Sequence, residues 1–319
     1  IVFGDWSSDV CSSDLRHLKA PFGDVRSGLF VAVAEWAAKK VNDVAASKER
    51  TWTSSLLIPV EDPQELRGSF NFLRDIAYPK GFIKILGLSS DEDESRMRLR
   101  LPSLTQAFQE AGIFASWTII DVARFEENLV AGMQALGGAF FKPSVIFLRL
   151  PETSDRDEGI KKVIVKASES RLGVLLFADH PKAGLGRRKS INLWIEDRSP
   201  NWDITMELGN MDLAILIAYK LKRNWKASLN LITFVKKKHY VEAAKEYLTN
   251  LIELARIPNA RVYVVVGGLE SDIAETPLSS LNIFSLPPEP DLDFVRQMVN
   301  QTQSACLFAL DSGDENALA

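Results

Sequence analysis

Short apolar runs alternate with amphipathic stretches along almost the whole chain, the signature of strands interleaved with helices. Runs at 56–60, 82–88, 116–120, 144–150 and 174–178 predict five strands. Helical periodicity between them predicts helices at 64–77, 104–111, 124–136 and 158–170. Asp62 followed by Pro63 supplies a helix start, and Pro79 stops that helix near residue 77. A second series predicts strands at 191–195, 229–235, 262–266, 282–286 and 306–310, with helices at 210–223, 241–256 and 292–301. Near-continuous apolar strands separated by helices predict a mostly parallel sheet covered on both faces.

The two series echo one another. An Ala-rich helical stretch at 29–46 leads to Trp52, Ser55 and the strand at 56–60. The helix at 210–223 leads in the same way to Trp225, Ser228 and the strand at 229–235. Helix, tryptophan and strand repeated in this order predict two related halves. The loop at 179–189, with His180-Pro181, Gly184, Gly186 and Arg187-Arg188-Lys189, is the expected boundary. The expected organisation is 51–188 for the first α/β half and 189–319 for the second, with a connecting helix within 16–50.

Residues 1–15 follow neither period, and 4–15 resemble translated sequencing-adapter read-through, so 1–15 are set aside as a non-native scar. Asp24 is placed to cap the helix that follows. Residues 28–34 are apolar all round, and polar Glu35, Lys39, Asn42 and Asp43 come only later. A helix of that kind is buried against more than one neighbour. Those neighbours lie either within its own domain or in a second subunit or membrane part. Leu29, Phe30, Val33 and Trp36 are its interface candidates, with Trp202 in the polar loop 197–208 as another.

Composition narrows the function. A net charge of −4 over 319 residues, with mixed signs throughout, argues against a nucleic-acid partner. No run approaches the ~20 apolar residues of a membrane span. Two cysteines, Cys11 and Cys306, make no disulfide framework or cysteine-rich metal site. His17, His180 and His239 stand apart without ligand-spaced carboxylates, so neither a metal site nor a catalytic triad is expected. Residues 183–190 mimic a phosphate loop, but Arg188 stands where the second glycine is required and a strand follows instead of a helix. Gly184, Gly186, Arg187 and Arg188 remain weak phosphate candidates, as do Gly267 and Gly268 at the end of a strand. The acidic runs 91–94 and 155–158 are expected as solvated turns at helix starts. No catalytic residue and no cofactor is assigned.

Residues 190–195, Met211-Asp212-Leu213-Ala214 and 219–225 together resemble the cytoplasmic C-terminal domain of prokaryotic cation–chloride cotransporters, within the amino acid–polyamine–organocation superfamily. Gly23-Asp24-Val25-Arg26-Ser27-Gly28-Leu29 is similar to the start of that domain's first helix, and the likeness runs from about residue 21 onward. The resemblance implies two tandem universal-stress-protein-like (Rossmann-like) α/β halves of about five strands each, preceded by the connecting helix. It implies a regulatory and dimerisation role on the cytoplasmic side of the cell membrane, as a homodimer attached to its own transmembrane domain. That domain, absent from this chain, would move chloride with a cation such as potassium. The alternative is a free-standing, nucleotide-binding sensor of the universal-stress type.

Overall fold

The computed structural model describes residues 31–33, 36, 52–89, 94–121, 125–138, 141–203 and 208–318. Trp52–Ala319 form one compact unit, and within Ile1–Thr51 the described residues 31–33 and 36 are helical. Leu29, Phe30, Asp24, His17 and Cys11 lie outside the described residues.

The larger unit alternates strand and helix throughout. Its first half runs β1 (Leu56–Val60), α1 (Glu65–Ala77), β2 (Phe82–Ser89), α2 (Glu94–Glu110), β3 (Phe114–Asp121), α3 (Phe125–Gly137), β4 (Val145–Arg149), α4 (Asp157–Glu169) and β5 (Gly173–Ala178). Its second half runs β6 (Ser190–Ile195), α5 (Asp212–Trp225), β7 (Ser228–Val235), α6 (Val241–Leu254), β8 (Ala260–Val266), the one-turn α7 (Leu269–Asp272), β9 (Leu281–Ser285), α8 (Leu292–Thr302) and β10 (Ala305–Leu310). All ten strands fall on the apolar runs, five to each half.

They form a single sheet in the order β3-β2-β1-β4-β5-β10-β9-β6-β7-β8. Eight of the nine strand pairings are parallel, and at the centre β10 pairs antiparallel with β5, with Val174 opposite Leu310. Each half therefore has the same internal order, and an approximate two-fold axis passes between β5 and β10. The equivalent of β1 is β6, the centre of the second half, and the equivalent of β2 is β7. This corrects the echo read from the sequence: Trp52 and Trp225 precede strands that are not equivalent. A second correction concerns α2, which begins ten residues earlier than periodicity predicts. Pro102 lies inside it, and its buried stripe of Met97, Leu101, Thr105 and Phe108 is diluted in sequence by Arg96, Arg98 and Arg100.

Side-chain alternation sends Leu175 and Phe177 of β5 to one face, and Val174, Leu176 and Ala178 to the other. On the first face α1, α2, α5 and α6 cover a core containing Phe72, Phe147, Phe177 and Tyr247. On the second, α3, α4 and α8 cover Leu129, Val163, Trp194, Phe284, Met298 and Phe308. Each fully buried Leu, Ile or Phe contributes ~1.5–3 kcal/mol, and both cores run unbroken across the axis.

Polar contacts pin the same seam. Trp225 Nε1 donates to Asp75 Oδ2 at 2.8 Å, and Asn224 Nδ2 to the Asp75 carbonyl at 2.6 Å. Lys220 Nζ reaches from α5 to Ser54 Oγ and to the Ala77 carbonyl at 3.2 Å, at the end of α1, where that carbonyl also accepts the Gly81 amide at 2.8 Å. On the opposite face Arg296 of α8 grips Asp157 of α4 through two bonds of 2.8 and 2.7 Å.

Candidate functional site

In an open α/β sheet the crevice for a ligand opens at the carboxyl ends of the strands, where the winding direction reverses. Here that point occurs twice, between β1 and β4 and between β6 and β9. A crevice lies at each, of about 630 Å3 in the first half and about 300 Å3 in the second.

The same dipeptide leaves the central strand in each. Glu61-Asp62 follows β1, and Glu196-Asp197 follows β6. Asp62 Oδ1 accepts the Gln64 amide at 2.9 Å, and Asp197 Oδ1 accepts the Ser199 amide at 2.9 Å, so both turns close alike. This pair is absent from the sequence-based site candidates. Its signal was available as the repeated Glu-Asp after an apolar run, in the register that the sheet order now establishes.

In the first crevice the Glu-Asp pair meets two arginines. Arg156 pairs with Glu61 and sits 5.9 Å from the Phe125 ring centre, while Arg100 lies 3.6 Å from Asp62. The lip between β4 and α4 is held from the other half, since Arg296 donates to the Thr153 carbonyl at 2.9 Å and the Pro151 carbonyl at 3.2 Å besides binding Asp157.

The second crevice is floored by aromatic rings. Trp194 stacks within 6° of parallel on Phe234 and on Phe284, at 5.8 and 5.3 Å, and Phe284 continues onto Phe308 at 4.9 Å. Beneath them is a buried polar row. Asn230 donates to Asn192 at 2.8 Å, Asn282 accepts Trp194 Nε1 at 2.9 Å, and Asn282 donates to Ser304 at 2.7 Å. Gly267 and Gly268 line this crevice, with Glu196, Lys236 and Phe294. Their anion seat is filled from within: Asp272 Oδ2 accepts the Gly268 amide at 2.9 Å and the Ser271 hydroxyl. Those two bonds, the hydroxyl's first, hold the Asp272 carboxyl below the usual carboxylate range. A Cβ on Gly267, whose φ is +154°, would lie 2.2 Å from Asp272 Oδ2, which is why glycine stands there.

The loop 183–189 is organised for itself. The Lys182 and Ala183 amides donate to His180 Nδ1, and those of Gly184, Gly186 and Arg188 to the carbonyls of His180, Ala183 and Leu185. Arg188 turns inward, 3.6 Å from Asp75 and 5.8 Å from the Trp225 ring centre, while Arg187 is exposed. The phosphate candidates thus lie in two separate places, and the amides of Gly184, Gly186, Arg188, Gly267 and Gly268 are engaged. Trp202, expected at a partner surface, is buried edge-on against Tyr247 at 5.6 Å. Val33 and Trp36 are 53% and 64% exposed.

At the end of β10 the Asp311 carboxylate accepts the Asp212 and Leu213 amides, both at 2.9 Å, and so caps α5. Burial, with Glu315 and Asp212 adding repulsion, pushes its pKa up to about 7 against those two bonds. Burial likewise lifts the Cys306 thiol to about 12. Among the described residues no cluster of His, Cys, Asp or Glu is placed to hold a metal ion. No helix among them is long and apolar enough to cross a membrane.

Two family models match in tandem: the first C-terminal domain of prokaryotic cation-chloride cotransporters over residues 58–185, and the second over 186–318. Among solved structures, the cytoplasmic domain of a prokaryotic cation chloride cotransporter is 57% identical, with a TM-score of 0.77 over 84% of this chain and 99% of that one. A universal stress protein from Archaeoglobus fulgidus DSM 4304 shares the fold at 12% identity, TM-score 0.54, over 82% of this chain and 98% of its own. A functionally unknown protein from Pseudomonas aeruginosa PAO1 does so at 15% identity, TM-score 0.56, over 82% and 94%. No match is found among curated proteins.

Proposed function

The chain belongs to the prokaryotic cation–chloride cotransporter family, and on that premise we propose that it is the regulatory and dimerisation part of such a transporter, at the cytoplasmic face of the cell membrane. Symport of a cation with chloride is the work of a membrane-embedded part outside this chain. The two α/β halves, 51–188 and 189–319, run no reaction. Joined to the membrane part through the connecting helix within 16–50, they hold two copies together and bias its conformations.

The observation that carries the dimeric reading is the helical segment around Val31, Val33 and Trp36, exposed by 61%, 53% and 64%. Apolar side chains left so far in water on one helix mark an interaction surface. A second copy related by a two-fold axis would bury each of them twice. Light scattering tests this. Wild type is expected to be dimeric at tens of micromolar, about 6–7 kcal/mol of association. Phe30→Asp with Val33→Asp is expected to yield monomers with an unchanged circular dichroism spectrum. A monomeric wild type, or a mutant dimer of unchanged strength, removes this helix as the link. The rival reading, a nucleotide sensor, predicts ATP binding tighter than roughly 10 μM. Titration calorimetry is expected to show none, because the seat at Gly268 is already filled by Asp272.

A further inference from the structure

The approximate two-fold symmetry allows the two crevices to be compared residue by residue, and they differ in how their charges are satisfied. In the first half Glu61 is neutralised by Arg156, which stands at the position just before α4. The residue at the same point before α8 is Asp291, whose carboxylate is committed to its own helix through the Asp293 and Phe294 amides at 3.0 and 3.3 Å. Glu196, the counterpart of Glu61, is therefore left without an ion pair or side-chain hydrogen bond among the described residues. Lys236, the first residue beyond β7, lines the same crevice and is likewise without one. The strands they leave, β6 and β7, are neighbours in the sheet.

A crevice of about 300 Å3 thus presents Glu196 and Lys236 without partners at its rim, beside Asp197, whose Oδ1 is committed to the Ser199 amide, above an apolar floor. The stacked rings of Trp194, Phe234 and Phe284 turn their faces to one another, and so meet an occupant as hydrocarbon instead of as a cation-binding box. A phosphate-bearing ligand finds its seat taken by Asp272. A simple cation would leave Lys236 unmatched, and a simple anion would leave Glu196 unmatched.

We propose that this crevice binds a small zwitterion with an apolar body, an apolar or aromatic amino acid being the class that fits. Its ammonium meets Glu196, its carboxylate meets Lys236, and its side chain lies against Phe294 and the ring floor. The site gives the regulatory reading a ligand, and only its consequence for transport rests on that reading.

Titration calorimetry of the 319-residue chain with L-phenylalanine and L-leucine is the test. Phenethylamine and 3-phenylpropionate, each lacking one charge, are expected to bind at least about tenfold more weakly than L-phenylalanine. Glu196→Gln should weaken L-phenylalanine by about tenfold while leaving 3-phenylpropionate unchanged, and Lys236→Met should do the same with phenethylamine unchanged. Both side chains are exposed, so neither change threatens the fold. No heat at roughly 10 mM amino acid, equal binding of the half-charged analogues, indifference to both variants, or displacement by ATP would each overturn the proposal. Binding is measured without a membrane part, so its failure leaves the transporter reading intact, and failure of that reading leaves the binding result intact.

Discussion

Asp311 shows how one carboxylate can serve structure at an electrostatic cost. It supplies two acceptors to the start of α5, yet burial raises its pKa to about 7 from 3.8. Between those values the folded chain holds a proton that the unfolded chain releases. Its contribution to stability is therefore fully present below about pH 4 and is lost as pH rises through 7. Asp311→Asn should flatten that fall, worth on the order of 4 kcal/mol at most, in melting temperatures followed by circular dichroism from acid to neutral pH. Asn282 carries a different load, joining Trp194 Nε1 to Ser304 Oγ in the buried row. Asn282→Ala leaves both groups without that partner and should cost ~1–3 kcal/mol in urea unfolding. Neither role could be read from sequence, because an Asn or Asp in an apolar run is polar by composition and its partners lie far along the chain. The same holds for Glu196: the residue is visible, but its lack of a partner is set by what stands before α8.

Among elements, the strands were the most legible, because both faces of the sheet are covered and each strand is a mostly apolar run, broken only by single polar residues such as Lys84, Asn192 and Asn230. The buried stripe of α2 was hidden by three arginines and by Pro102, which reads as a helix breaker although this helix passes through it. The short α7 escaped notice for want of length: one turn carries no period. Duplication itself was legible, but its register was not, since Trp-x-x-Ser before a strand recurs at non-equivalent places. The Glu-Asp that follows β1 and β6 is the true marker. Elements also exchange support across the two-fold axis, most directly where Arg296 of α8 clamps the segment before α4. Arg296 and Asp157 are 20% and 15% exposed, and removing one member of so protected a pair leaves the other charge poorly solvated. Arg296→Ala should lower stability by about 1–3 kcal/mol. It should also speed amide hydrogen exchange at residues 151–157, in the first half, more than anywhere within α8 itself.

For the whole molecule, the arrangement of the sheet has a consequence in time. The strand that closes the middle of the sheet, β10, is the latest of the ten to be synthesised. While a ribosome is still adding it, β5 and β9 both present bare edges at what will become the centre of the plate, and bare edges invite pairing with other chains. A nascent chain paused before residue 305 is then two half-sheets awaiting one strand, the stage at which chaperones are most useful. A chain ended at residue 303 should accordingly aggregate instead of behaving as a slightly shortened monomer or dimer, which sedimentation of freshly expressed protein would reveal. Adding residues 304–318 back as a separate peptide during refolding should restore soluble material, because the gap it fills is a ready-made slot between β5 and β9.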